Sequence, residues 1–339
     1  MRANFHLKTL TVAVAALSIA SVASAAGLDR SGQDITAFLQ DGTYAEAVYT
    51  YIEGDVSGKD LSGNKIGDIA ESYDFFRYGV KADINDTFSI GILYDEPFGA
   101  AADYSGNNSF VDQNPTSDKN GEGTNVEVRT ESITGIIGAK LGESKNFQVY
   151  GGPVAQRVQA DVKLRGTAYE LANGYTTHIS SDQDYGWLAG VAYSKPEIAL
   201  KAALTYRSEI DHTTNSAESY PLAIVAGKPT SRSNTIDITT PESLNFDFQT
   251  GINPTTLATA KVRWVPWSDF AIVPSLYNEV SAVNPAYGPD GLSLVSYDED
   301  QWQVELGLAK RLTPVLAVTG TVGWDSGSGN PVTSIGSID

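Results

Sequence analysis

Alternation of apolar and polar residues with a period of two runs through most of this chain, and it constrains the fold more than any other feature. From 198 to 206, Ile198, Leu200, Ala202, Leu204 and Tyr206 share one face of an extended segment, while Lys201, Thr205 and Arg207 share the other. From 301 to 308, Trp302, Val304, Leu306 and Leu308 oppose Gln301, Gln303 and Glu305. In 257–278, Ala258, Ala260, Val262, Trp264, Phe270, Ile272 and Leu276 are all even-numbered, which predicts one long strand running through Pro266-Trp267. Side chains two apart share a face of a strand, so these are strands with one apolar face.

The connections alternate as well. Short turns fall at Asn85-Asp86, 142–146, 194–197, 251–254 and 312–314, and long polar loops at 57–69, 106–123, 166–183, 212–234 and 283–299. Short turns at one end and long loops at the other are the habit of bacterial outer-membrane barrels, whereas a secreted β-sandwich or lectin does not sort its connections in this way. The patterning predicts an all-β, antiparallel transmembrane β-barrel with eleven strands at 43–56, 70–84, 87–105, 124–141, 147–165, 184–194, 198–211, 235–249, 255–279, 300–311 and 315–326. Single-chain barrels close with an even number of strands, so eleven strands imply a sequence incomplete at its C-terminus.

Arg2 and Lys8 precede an apolar run from Leu10 to Ala20, and Ala23-Ser24-Ala25 supplies the small residues of a cleavage site. Residues 1–25 therefore read as a secretory signal peptide. That leaves 26–42 as an N-terminal plug and 43–339 as the barrel. The net charge of −18 argues against nucleic acid as a partner. The absence of cysteine removes disulfides and thiolate metal sites. A mean hydropathy of −0.18 suits a barrel, in which only alternate strand residues meet lipid.

Candidate enzymatic and metal chemistry is sparse. Outside the signal peptide only His178 and His212 remain, both in expected loops, and no Gly-x-Ser-x-Gly is present. Residues 116–127 half-match a calcium loop through Asp118, Asn120, Gly121 and Glu127, but Thr116 replaces the leading Asp and no helix pattern flanks it. A solvated acidic loop is the better reading there. We expect no enzyme, no cofactor and no dedicated metal site.

The third expected strand contains "YDEPFG". Pro97 removes a ladder hydrogen bond, Gly99 adds backbone freedom, and Asp95 and Glu96 suit lipid poorly. Together they predict a bulge or kink that parts the strand from a neighbour. The long loop 212–234 holds an uncharged run at 220–227 in which Tyr220, Leu222, Ile224 and Val225 form an apolar patch, either a capture site for a hydrophobic ligand or packing against the barrel rim.

The segments 186–211, 240–254, 262–270 and 306–327 resemble the FadL-type outer-membrane transporters of long-chain fatty acids and other hydrophobic compounds. The likeness is most specific at Tyr206-Arg207-Ser208-Glu209 and Leu312-Thr313-Pro314. It covers most of the mature chain. It implies a fourteen-stranded barrel with an N-terminal hatch, and a kink in the third strand that opens a lateral exit. On that likeness three strands are missing here. It places the protein in the outer membrane of a Gram-negative bacterium, surrounded by lipid and lipopolysaccharide, as a monomer. Asp95, Glu96, Pro97 and Gly99 would then form the gate, and the third and fourth external loops, with Tyr220, Leu222, Ile224 and Val225, the capture groove. A fatty-acid carboxylate would need cations in the lumen, where Arg157, Lys163, Arg165, Lys201, Arg207, Lys261 and Arg263 are expected to face. The alternatives are an aromatic-hydrocarbon channel, which needs no carboxylate partner, or a structural or adhesive barrel. The family's hatch is longer and carries an Asn-Pro-Ala motif near its start. Here that triplet occurs only at 284–286, in a late loop.

Overall fold

A computed structural model describes residues 28–329; the expected signal peptide, the first two plug residues and the last ten residues lie outside the described residues. Eleven strands follow one another in a single antiparallel meander: β1 (Tyr44–Ile52), β2 (Tyr73–Asp83), β3 (Phe88–Asp95 and Gly99–Asp103), β4 (Asn125–Leu141), β5 (Phe147–Lys163), β6 (Thr176–Lys195), β7 (Leu200–Arg207 and Ile210–Ser219), β8 (Ser231–Thr240 and Ser243–Asn253), β9 (Thr256–Val265), β10 (Gln301–Thr313) and β11 (Leu316–Asp325). Each strand pairs with the next in sequence, and β1 and β11 form the two edges. No helix among the described residues is long and apolar enough to cross a membrane.

The sheet curls around a buried segment, 28–41. Its convex face is apolar near the short turns and ringed by aromatics. Ile92, Ile137, Leu306 and Val322 are exposed there, as are Tyr49, Phe76, Tyr185, Trp187, Trp302 and Trp324. Aromatic pairs cross neighbouring strands, Trp187 with Tyr206 and Trp264 with Trp302, as in the girdles at membrane interfaces. The concave face instead buries Arg77, Lys81, Thr134, Arg207 and Arg263. An apolar exterior around a polar interior reverses the partition of a water-soluble domain and suits lipid as the outer solvent.

Two expectations about the strands are corrected. The even parity of 257–278 does not mark one strand. β9 stops at Val265, because Pro266 has no N–H for the ladder and Trp267 turns inward to donate its indole N–H to Gln301 Oε1 at 2.7 Å. A 3-10 turn, a short pairing of Ala271–Ile272 with Val295–Ser296 and a helix α1 (Ser275–Ser281) then fold over the barrel mouth. Phe270, Ile272 and Leu276 are buried in that cap and do not face lipid. Likewise 166–183 and 212–234 are not wholly loops, since β6 starts at Thr176 and β7 and β8 continue as a hairpin to Ser219 and from Ser231. His178 and His212 therefore lie on strands.

Candidate functional site

The N-terminal segment is seated by charge. Asp29 accepts from Arg263 Nε at 2.5 Å and Nη2 at 3.2 Å. Asp34 lies 2.6 Å from Lys261 Nζ and 3.2 Å from Arg77 Nη1. Burial alone would push the Asp34 carboxyl up, but the Lys261 and Arg77 charges beside it hold it well below the usual carboxylate range. Lys201 Nζ donates to Leu39 O at 2.7 Å, and Lys81 Nζ to Gln40 O and Gly42 O at 2.8 and 2.9 Å. Arg207 reaches Gln33 O at 3.5 Å. Six inward cations from three strands, β2, β7 and β9, thus converge on fourteen residues of chain (29–42).

The segment also packs by shape. Ile35, Ala37 and Phe38 sit in an apolar cluster with Leu93, Ile136, Tyr150 and Leu188. Inward glycines on three successive strands make the space, because a Cβ on Gly79 would lie 2.7 Å from Ala37 Cβ, and Cβ atoms on Gly91 and Gly138 would lie 2.7 and 2.9 Å from the Phe38 ring. The glycines on adjacent strands were the sequence signal for a docked plug, legible only once strand register is known.

The third strand breaks where Glu96 and Pro97 separate its two pieces. Its ladder with β2 runs from Asp83↔Ser89 to Tyr78↔Tyr94 and resumes only beyond β2, at Ala70↔Ala102. Between these points, Tyr73–Arg77 keep their pairing with β1 but have no ladder partner in β3 among the described residues. The strand turns inward and pairs with the plug: Arg30 N donates to Pro97 O at 2.8 Å and Gly99 N to Leu28 O at 2.7 Å. Ser31 Oγ donates to Asp95 Oδ2 at 2.9 Å. The Arg30 guanidinium occupies the break, 4.1 Å over the Tyr73 ring. A Cβ on Gly99 would stand 2.6 Å from it and 2.7 Å from the backbone oxygen of Val128, so that position admits only glycine.

Behind the break lies a small apolar chamber lined by Leu28, Phe98, Ile238, Trp267, Phe270 and Ile272. A second cavity, nearer the short turns, is bordered by Leu39, Lys201, Asp247, Phe248 and Lys261. A third lies under the cap beside Tyr169, Tyr220, Tyr277 and Tyr287. Within the run 220–227, Tyr220 is buried against Tyr175 and Tyr277, whereas Leu222, Ile224 and Val225 are exposed, the last two by 69% and 68%.

The seven cations expected in the lumen separate into three groups. Lys201, Arg207, Lys261 and Arg263 face it and touch the plug. Arg165 is buried near the mouth, bound to Glu122, Leu164 O, Tyr175 O and Thr176, where it braces loops. Arg157 and Lys163 are corrected, because both lie on the exposed outer face of β5 while Val158, Ala160 and Val162 point inward. The strand does not change its facing at Gly151-Gly152-Pro153; its ladder with β4 stays in register from Leu141↔Phe147 to Asn125↔Lys163. What changes is the outer solvent. Val149 faces out near the short turns, and beyond the membrane the apolar side turns in.

An antiparallel meander, apolar outside, ionic inside and curled around its own N-terminal segment, defines a transmembrane β-barrel with a plug. Within that class, the chain has the fold of the FadL-type barrels. It superposes on a Pseudomonas aeruginosa FadL homologue with a TM-score of 0.58 at 16% identity, covering 86% of this chain and 72% of that one. It matches the Ralstonia pickettii toluene transporter TbuX at 0.54 and 13% identity, over 93% and 86% of the two chains. The CymD monoaromatic hydrocarbon channel matches at 0.51 and 10% identity, over 85% and 74%. No family model matches the sequence, and no curated protein matches it.

Proposed function

We propose that the protein carries hydrophobic small molecules, long-chain fatty acids or similar compounds, passively across the outer membrane of a Gram-negative bacterium. It performs no chemical step and acts as a monomer in a lipid and lipopolysaccharide bilayer. Ligand is captured at the exposed Leu222, Ile224 and Val225 tip, passes beneath the cap and leaves sideways at Asp95, Glu96, Pro97 and Gly99. The observation that carries this reading is the wall break at Glu96–Phe98, which opens beside an apolar chamber. A lateral route lets a poorly soluble molecule enter lipid without crossing the periplasmic mouth through water. The domain division into signal peptide 1–25, plug 26–42 and barrel 43–339 belongs to the same proposal.

The substrate's head group is the open choice. A carboxylate would find Lys201 and Lys261 at the lower cavity, with Arg207 and Arg263 behind the plug. All four already bind the plug, which favours a neutral aromatic hydrocarbon as the second reading. The names of the toluene transporter and the monoaromatic hydrocarbon channel of the same fold point the same way.

The test is uptake of labelled oleate and labelled toluene by cells lacking the gene. These are compared with cells restored by the wild type or by a copy with Asp95-Glu96-Pro97 changed to Thr-Val-Thr, at equal surface amounts. We expect the wild type to restore uptake of one or both and the variant to lose most of it. Uptake independent of the gene overturns the transport reading, and undiminished uptake by the variant overturns the lateral exit. Loss of oleate but not toluene uptake in Lys201→Met would identify the carboxylate.

A further inference from the structure

A second interruption in the barrel wall lies between β6 and β7. Their ladder runs from Leu200↔Lys195 to Arg207↔Leu188 and resumes at Ser216↔Ile179. Across this stretch three side chains approach one another, Asp182 and Asp184 from β6 and His212 from β7, with ligand atoms all within 4.8 Å. Trp187 and Tyr206 of the outer aromatic ring mark its lower edge.

Two acidic residues near a histidine would be unremarkable on an exposed face. Here the histidine is completely buried and its protonation is directed. Its Nε2 reaches over β6 to Gln156 Oε1 on β5 at 3.2 Å. Thr240 Oγ1 donates to the same oxygen at 2.6 Å, and the Gln156 amide N–H points the other way, to Ser132 Oγ at 3.2 Å. Gln156 Oε1 can only accept, so Nε2 carries the hydrogen and Nδ1 presents a lone pair. That lone pair faces the carboxylates, and both Nδ1 and the buried Asp182 Oδ2 lack a hydrogen-bond partner. They are 3.7 Å apart, too long for a hydrogen bond. Two ligands held by one tetrahedral zinc at about 2.1 Å would stand about 3.4 Å apart. A histidine whose other ring N–H is bound to a fixed acceptor is the arrangement metal-ligating imidazoles adopt.

We propose that Asp182, Asp184 and His212 Nδ1 bind a divalent transition-metal cation of the zinc type, which clips β6 to β7 where the backbone ladder is interrupted. Three protein ligands leave a position for water. The imidazole selects against calcium and magnesium, which take oxygen ligands.

The test uses the full chain extracted from outer membranes in detergent and stripped with a chelator. Zinc binding is followed by titration calorimetry, and cobalt by its visible absorption bands, with calcium as the control. We expect one equivalent of zinc, cobalt bands characteristic of mixed nitrogen and oxygen ligation, and no calcium binding at this site. His212→Gln removes the cobalt bands. Because His212 is buried, Asp182→Asn and Asp184→Asn serve as the second set; both positions are partly exposed, and each should weaken zinc at least tenfold while keeping the heat-modifiable migration of a folded barrel. Failure of the wild type to bind zinc saturably overturns the proposal. So does unchanged affinity in folded Asp182→Asn and Asp184→Asn.

Discussion

At the scale of single residues, Asp34 is the keystone of plug seating. Replacing it by Asn leaves Lys261 and Arg77 buried beside a neutral amide, and removing one partner of a buried ion pair costs about 3–5 kcal/mol. We expect Asp34→Asn to lower the unfolding midpoint and to admit steady ionic current in planar bilayers where the wild type is closed. The pH dependence follows from the same contact. A carboxyl whose folded pKa is depressed contributes fully above its unfolded value, about 3.9, and loses that contribution only as pH falls through the lower folded value. The wild type should therefore remain closed at pH 4 as at pH 7, and Asp34→Asn should conduct at both; wild-type current rising between pH 5 and 4 would contradict this. Gly99→Val should displace Arg30 from the wall break and strain the pairing with β4 at Val128, read as new protease accessibility of the N-terminal segment. The inward cations Lys201, Arg207, Lys261 and Arg263 were legible from alternation alone. Their partners were not, because Asp29, Gln33, Asp34 and Leu39 lie more than 150 residues away in a segment with no regular period.

At the scale of elements, legibility followed the membrane. Strand segments with lipid on one side alternate clearly, so β1 to β5 and the crossing parts of β7 to β11 can be read from sequence. Outside the bilayer the cue fails in two ways. The β7–β8 hairpin carries Thr213, Asn215, Ser216 and Thr235 on both faces, which resembles a polar loop although its pairing is continuous. On β5 the apolar face inverts, which sent Arg157 and Lys163 to the wrong side. In 266–281 even spacing arose by coincidence in a folded cap. Two substitutions test this division. Leu306→Arg, on the outer face between Ala260 and Val322, should cost about 2–4 kcal/mol of barrel stability in lipid, as for cations at the bilayer midplane. Trp267→Ala removes a fully buried ring and its bond to Gln301, and should cost about 3–5 kcal/mol while loosening the cap. Refolding equilibria in vesicles would measure both.

At the scale of the whole molecule, the plug and the wall are not separate devices. The cations that line the lumen are bound by the same N-terminal segment, 28–42, that enters the wall's hydrogen bonding at Pro97 and Gly99. Any ligand that passes must exchange with that segment, so uptake and plug mobility should rise together in a series of variants at Asp29 and Asp34. Hydrogen exchange of the 28–41 amides against uptake rate would check the correlation, and faster exchange without faster uptake would separate the two.

The pairing of Arg30 with Pro97 and of Leu28 with Gly99 also has a mechanical meaning. The residues that bridge the wall break belong to the same stretch of chain that the lumen cations anchor, so a pull on that stretch acts directly on the side of the barrel. Anything that shifts that stretch holds a lever on the wall.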